Sequence, residues 1–147
     1  MITYRKATKK DVSALLKLYE QLNPDDKHID LSLANNIWRK IKTNNIEYFV
    51  ALDDKKIIAS CYICIIPNLT RGGKSIGFIE NVITDQQYRK KGIGKRIIEM
   101  AIEHAKENNC YKVLLQSSNY REGAHLFYKS IGFDGESKRA FELRLDN

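Results

Sequence analysis

Two glycines one residue apart stand in the most basic stretch of the chain, Arg89-Lys90-Lys91-Gly92-Ile93-Gly94-Lys95-Arg96. A helix that opens there leaves its first backbone N–H groups unpaired and carries about half a positive charge at that end. Glycine lets a ligand reach those donors without a side chain in the way. With five basic side chains alongside, phosphate is the natural guest. A P-loop is excluded, because it needs Ser or Thr after Gly-Lys, and here Arg96 follows Lys95, with arginine at the upstream glycine position 89. A dinucleotide fingerprint is excluded too, because position 97, where its third glycine belongs, is isoleucine.

Upstream of this loop, Glu80 is the carboxylate placed for proton chemistry. On a regular strand it shares a face with Phe78 and Val82, and apolar neighbours raise a carboxylate's pKa towards a useful range. A general base, an anchor for an amine and a structural salt bridge all remain open for it. Cys61 and Cys64 form a C-x-x-C, but three residues apart on a strand they point to opposite faces. No second C-x-x-C or histidine pair completes a zinc site, so no metal is expected, and the three cysteines read as reduced.

These residues need elements to hold them. Strands are read at Ile2–Lys6, Glu47–Leu52, Lys56–Ile66, Lys74–Thr84 and Tyr111–Gln116, with a closing strand on the alternation of Phe141, Leu143 and Leu145. A helix follows the first strand, capped near Thr8, with Val12, Leu15, Leu16, Tyr19 and Leu22 at helical spacing. Another spans Leu31–Thr43 with Leu33, Ile37, Trp38 and Ile41 inward. The helix after the glycine loop, Gly92–Asn108, carries Ile93, Ile97, Ile98, Ala101 and Ala105 on one stripe, and Glu122–Ile131 stops at Gly132. The order β-α-α-β-β-β-α-β-α-β predicts an α/β (α+β) three-layer fold: a mixed, mostly antiparallel twisted sheet with helices on both faces. One domain over residues 1–147 is expected.

Hydrophobic residues make up 43% of the chain, enough for a core, and no stretch is apolar for the length of a membrane span. The start of the sequence lacks a signal-peptide pattern, so a cytoplasmic protein is expected. A net charge of +7 favours anionic partners without choosing among them.

The strand–R-x-x-G-x-G–helix segment, set in this element order, resembles the acetyl-CoA signature of the GNAT superfamily of N-acetyltransferases, and the likeness runs along nearly the whole chain. Ala124-His125-Leu126-Phe127-Tyr128 to Gly132-Phe133 is similar to that family's downstream A-x-x-x-Y-x-x-x-G-F segment. Echoes of aminoalkylphosphonate and of glucosamine 6-phosphate N-acetyltransferases both occur, the latter at Ile79-Glu80-Asn81-Val82. The resemblance implies acetyl-CoA as cosubstrate, with Val82, Ile83 and Thr84 lining pantetheine and acetyl group. Arg89, Lys90, Lys91, Gly92, Ile93, Gly94 and Lys95 would surround the pyrophosphate. Many members have asparagine three residues before the motif alanine, where this chain has Arg121; Asn119 is the nearby candidate, out of that register.

Acetyl transfer to an amine needs a base, donors for an oxyanion and a proton for the thiolate. Glu80 is the candidate base. Strand N–H groups of Val82–Thr84 are candidate oxyanion donors if a bulge frees them. Tyr128 is the candidate acid by its place in the family motif; Ala124, Phe127, Tyr128 and Ile131 also describe a plain core face. The expected acceptor is a primary amine of a small molecule, attacked directly through a tetrahedral intermediate, with a protein N-terminus or lysine as the alternative. A non-catalytic anion- or nucleic-acid-binding module is the rival class, although no nucleic-acid motif accompanies the charge. Membrane partners are not expected, and a homodimer is left open.

Overall fold

A computed structural model describes residues 1–146. Five strands form one sheet in chain order: β1 (Ile2–Lys6), β2 (Ile46–Asp53), β3 (Lys56–Ile66), β4 (Ser75–Thr84) and β5 (Cys110–Leu115). The first four pair antiparallel, and β4 pairs β5 in parallel. The helices are α1 (Val12–Tyr19), α2 (Leu31–Lys42), α3 (Ile93–Glu107) and α4 (Glu122–Ile131). The chain divides into two compact units: Met1–Leu115, which holds the sheet with α1 to α3, and the described residues after it, which hold α4.

Alternation along β2 sorts the first unit into layers. Tyr48, Val50 and Leu52 are buried with Val12, Leu15 and Leu18 of α1 and with Ala34 and Trp38 of α2. The intervening Phe49 meets His104 of α3 edge-on, ring centres 5.7 Å apart. On the same side the buried Cys61 thiol donates to the Ile97 carbonyl at 3.8 Å, and burial pushes that thiol's pKa up to about 12. Helices α1 and α2 therefore cover one face of the sheet and α3 the other. Ile93, Ile97, Ile98, Ala101 and Ala105 are buried along α3, the stripe read from its spacing. Each such isoleucine contributes roughly 1.5–3 kcal/mol. Gly77 of β4 lets α3 come close, since a Cβ there would lie 2.9 Å from Ile63 Cδ1 and 3.4 Å from Ala105 Cβ.

The start of α1 shows why Asp11 belongs in its sequence. The Arg5 guanidinium of β1 donates two hydrogen bonds to the Asp11 carboxylate, at 2.7 and 2.9 Å, and the Thr8 backbone N–H adds a third at 2.7 Å. Together these donors hold Asp11 below the usual carboxylate range despite its burial.

Two expectations are corrected. Phe141, Leu143 and Leu145 form no strand and are 85–94% exposed. Alternation says which residues a strand would bury, but a strand also needs a partner edge for its hydrogen bonds. On α2, Leu33 and Ile37 are exposed while Ala34 and Trp38 are buried. The helix is therefore rotated so that its one bulky indole, rather than the aliphatic pair, fills the gap over Tyr48, with ring centres 5.5 Å apart. Among the described residues no helix is long and apolar enough to cross a membrane.

Candidate functional site

Strand β4 is paired on both sides only over its first half. Towards β5 the register runs from Ser75–Cys110 to Ile79–Leu115, where β5 ends. From Glu80 to Thr84 that edge of β4 has no strand beside it among the described residues. The other edge is irregular: Tyr62 of β3 pairs with Glu80 and Ser60 with Ile83, so Asn81 and Val82 together stand opposite Cys61. This is a β-bulge, which leaves one extra residue outside the ladder. Asn81 sits at φ 51°, in the left-handed region that asparagine tolerates and a β-branched residue does not.

A bulge is the condition for turning strand N–H groups towards an oxyanion, and one is present here. It also corrects the face read for Glu80. The extra residue shifts the alternation, so the next side chain on Glu80's face is the buried Ile83, not Val82.

Glu80 closes a row that crosses three strands. Tyr48 of β2 pairs with Tyr62 of β3, which pairs with Glu80 of β4. The two tyrosine rings lie 4.9 Å apart at a tilt of 32°. Glu80 and Tyr62 are both half-buried. Burial pushes the Glu80 carboxyl above its ordinary range, and a hydrogen bond from the Asn81 backbone only partly offsets it. Among the described residues no lysine, arginine or histidine pairs with Glu80. The structural salt bridge therefore has no partner among them.

The turn after β4 is anchored from several sides. The Asp85 N–H donates to the Ile58 carbonyl at 2.7 Å. The buried Asp85 carboxylate accepts from the Gln87 N–H at 3.0 Å and pairs with Lys56 at 2.9 Å. Burial raises its pKa, but these donors outweigh it and hold Asp85 low. Gln86 donates its N–H to the Gln21 side chain at 3.0 Å. Tyr88 donates its hydroxyl to Asp53 at 2.9 Å, with the ammonium groups of Lys56 and Lys91 each 5.2 Å from its ring centre. Arg89 then turns back, its Nε donating to the Thr84 carbonyl at 3.2 Å.

Beyond these anchors the loop takes left-handed conformations at Lys90 (φ 60°) and Gly92 (φ 78°). Helix α3 starts at once, with no side-chain cap and no acidic residue in its first turn. Arg89, Lys90, Lys91, Gly92 and Lys95 are exposed and Gly94 is half-exposed. A Cβ placed on Gly92 meets nothing within 4 Å, so the space before the loop is open. Uncapped N–H groups, an open approach and basic flanks fit a phosphate-bearing ligand. Ile83 and Ile93 have their side chains in the core, at 6% and 2% exposure, so only their backbone can face a ligand. Val82 and Thr84 are half-exposed along the open edge.

In the second unit, Asn119 is exposed in the turn before α4, and His125 shares a hydrogen bond with the Ser118 carbonyl at 2.8 Å. Tyr128 is half-buried, its ring centre 5.2 Å from that of Phe127 and 6.0 Å from that of Phe133. Among the described residues no cluster of His, Cys, Asp and Glu could hold a metal ion.

Sequence reasoning missed three contributors. Asn81 is a bulge residue, signalled by a lone asparagine in a β-branched run. Asp85 is the anchor of the turn, signalled by an aspartate just after a strand. Tyr62 carries no sequence signal, because its place beside Glu80 exists only through strand register.

The geometry agrees with what the chain is similar to. A glucosamine 6-phosphate N-acetyltransferase of Trypanosoma brucei brucei is 38% identical over 91 residues, covering 62% of this chain and 58% of that protein. The chain spans about half the length of the relatives of that name that it matches first. A crystal structure of a Trypanosoma brucei acetyltransferase superposes with a TM-score of 0.86 at 30% identity, covering 100% of both chains. A predicted acetyltransferase from Clostridium acetobutylicum, solved with acetyl-CoA, has a TM-score of 0.79 at 27% identity over 99% of this chain and 97% of that one. The acetyltransferase (GNAT) family matches residues 12–133, and the chain belongs to it.

Proposed function

We propose that this protein transfers the acetyl group of acetyl-CoA to a primary amine of a small molecule. The observation that carries the reading is Glu80: a half-buried carboxylate with no cation paired to it among the described residues, beside a bulge and an open strand edge. Acetyl-CoA supplies the activated thioester. Its pyrophosphate would meet the N–H groups at Gly92–Lys95, and its pantetheine amides suit the unpaired edge from Val82 to Thr84, much as a strand is added to a sheet. Both units then serve one catalytic domain over residues 1–147.

In this scheme Glu80 takes a proton from the acceptor's ammonium and becomes a carboxylic acid, leaving a neutral amine. The nitrogen lone pair attacks the thioester carbon, and strand N–H groups at the bulge hold the oxyanion of the tetrahedral intermediate. Collapse breaks the C–S bond and the thiolate takes a proton from Tyr128, by its place in the family segment. The amide nitrogen's second proton passes through solvent to restore the Tyr128 hydroxyl, and Glu80 releases its own proton to solvent. The name of the trypanosomal relative supports an amino sugar phosphate as acceptor, and the chain's +7 charge suits such an anion. Coenzyme A release measured across a panel of amines, with glucosamine 6-phosphate among them, tests the acceptor; no release with any amine would end the reading. Tyr128→Phe should cut turnover about a hundredfold with nearly unchanged melting, and full activity would return Tyr128 to packing alone.

A further inference from the structure

The row Tyr48–Tyr62–Glu80 has a property that neither residue type has alone. Directly opposed side chains on neighbouring strands stand about 5 Å apart. Tyr62 is therefore flanked on one side by the ring of Tyr48 and on the other by the carboxylate of Glu80. Trp38 backs Tyr48 from α2, so the tyrosine pair is braced from behind. Tyr48 is buried, whereas Tyr62 and Glu80 are half-exposed at the end of the row. The next row on the same face pairs Cys64 with Phe78, both half-exposed, which gives an apolar surface beside the carboxylate.

An aromatic face next to a lone carboxylate recognises one chemistry above others: a cation attached to carbon. The ring offers its negative face, the carboxylate offers charge and hydrogen-bond acceptors, and the apolar row accommodates the carbon skeleton. A chain with 25 lysines and arginines pairs none of those described with this carboxylate. We propose that Tyr62 and Glu80 form a binding subsite for an alkylammonium, so that the acceptor enters as the charged ammonium, held between ring and carboxylate before its proton is moved. This rests on the reading of the site given above and adds Tyr62 as the residue that selects a charged over a neutral ligand. Its role is in binding, not in the transfer step.

The full chain is titrated at neutral pH with propylammonium and, separately, with propanol, following the Tyr62 ring resonances by NMR. Propylammonium should shift them saturably, and propanol should bind about tenfold more weakly or worse. Tyr62→Phe keeps the ring and should hold affinity within about twofold, while Tyr62→Leu and Glu80→Gln should each lose about tenfold. Equal binding of amine and alcohol overturns the subsite, and that comparison needs no variant, so it stands even if Tyr62→Leu fails to fold. A folded Tyr62→Leu with unchanged propylammonium affinity overturns it as well. If propylammonium binds as described but no amine releases coenzyme A, the catalytic reading fails and the subsite survives. If acetylation proceeds while the Tyr62 resonances ignore propylammonium, the subsite fails alone.

Discussion

The two halves of β4 differ in a way that separates structure from chemistry within ten residues. From Ile76 to Ile79 the strand is paired on both edges, and Ile79 is 1% exposed. From Glu80 to Thr84 it has one partner among the described residues, a bulge at Asn81–Val82 and a half-buried acid. Where every backbone group is used by the ladder, the backbone has nothing left to offer a ligand. Where the ladder opens, N–H and C=O groups become available to a ligand. The strand thus turns from core to candidate site at the point where its second neighbour stops.

Substitutions along the strand can break or sharpen this contrast. Glu80→Gln should lower turnover on the order of 10²–10⁴-fold while leaving melting nearly unchanged. Because burial raises the Glu80 pKa, the carboxylate forms only above the ordinary carboxylate range. Wild-type activity should climb with pH through that raised value, and the variant should lack this climb. The deficit should narrow at alkaline pH, where more of the amine is already deprotonated; a profile parallel to wild type would remove the base role.

One residue earlier, Ile79→Ala should show the reverse pattern. It should cost about 2–5 kcal/mol of stability through the cavity left in the core, read by denaturant unfolding, with turnover of the folded fraction close to native. A large loss of turnover without loss of stability would erase the contrast between the halves.

Gly92→Asp places a carboxylate where phosphate is to approach. Coenzyme affinity measured by calorimetry should fall on the order of tenfold to a hundredfold. A folded variant with unchanged affinity would move the anion site elsewhere.

The smallest effects belong to the bulge. Asn81→Val forces a β-branched residue to a φ of 51° and should cost about 1–3 kcal/mol. Asn81→Gly should keep both bulge and activity, with stability within about 1 kcal/mol. If valine preserved turnover, the bulge would be a packing detail.

Much of this protein is written in local sequence. Strand alternation, the capped start near Thr8 and the apolar stripe from Ile93 to Ala105 depend on neighbours along the chain. The glycine-opened start of α3 was legible for the same reason, since it is built from consecutive residues. What only the tertiary structure decided depends on register and partner edges. The alternation of Phe141, Leu143 and Leu145 predicted a strand, but those residues pair with no strand among the described residues. The residue after Glu80 on its face moved from Val82 to Ile83 through one extra residue at Asn81–Val82, invisible to a count by twos. Tyr62 lies eighteen residues before Glu80 and meets it only because β3 and β4 pair at that register. Periodicity fixes which way a side chain points along its own strand; which side chain stands opposite is set by hydrogen bonds between strands, and those are made only in the folded sheet.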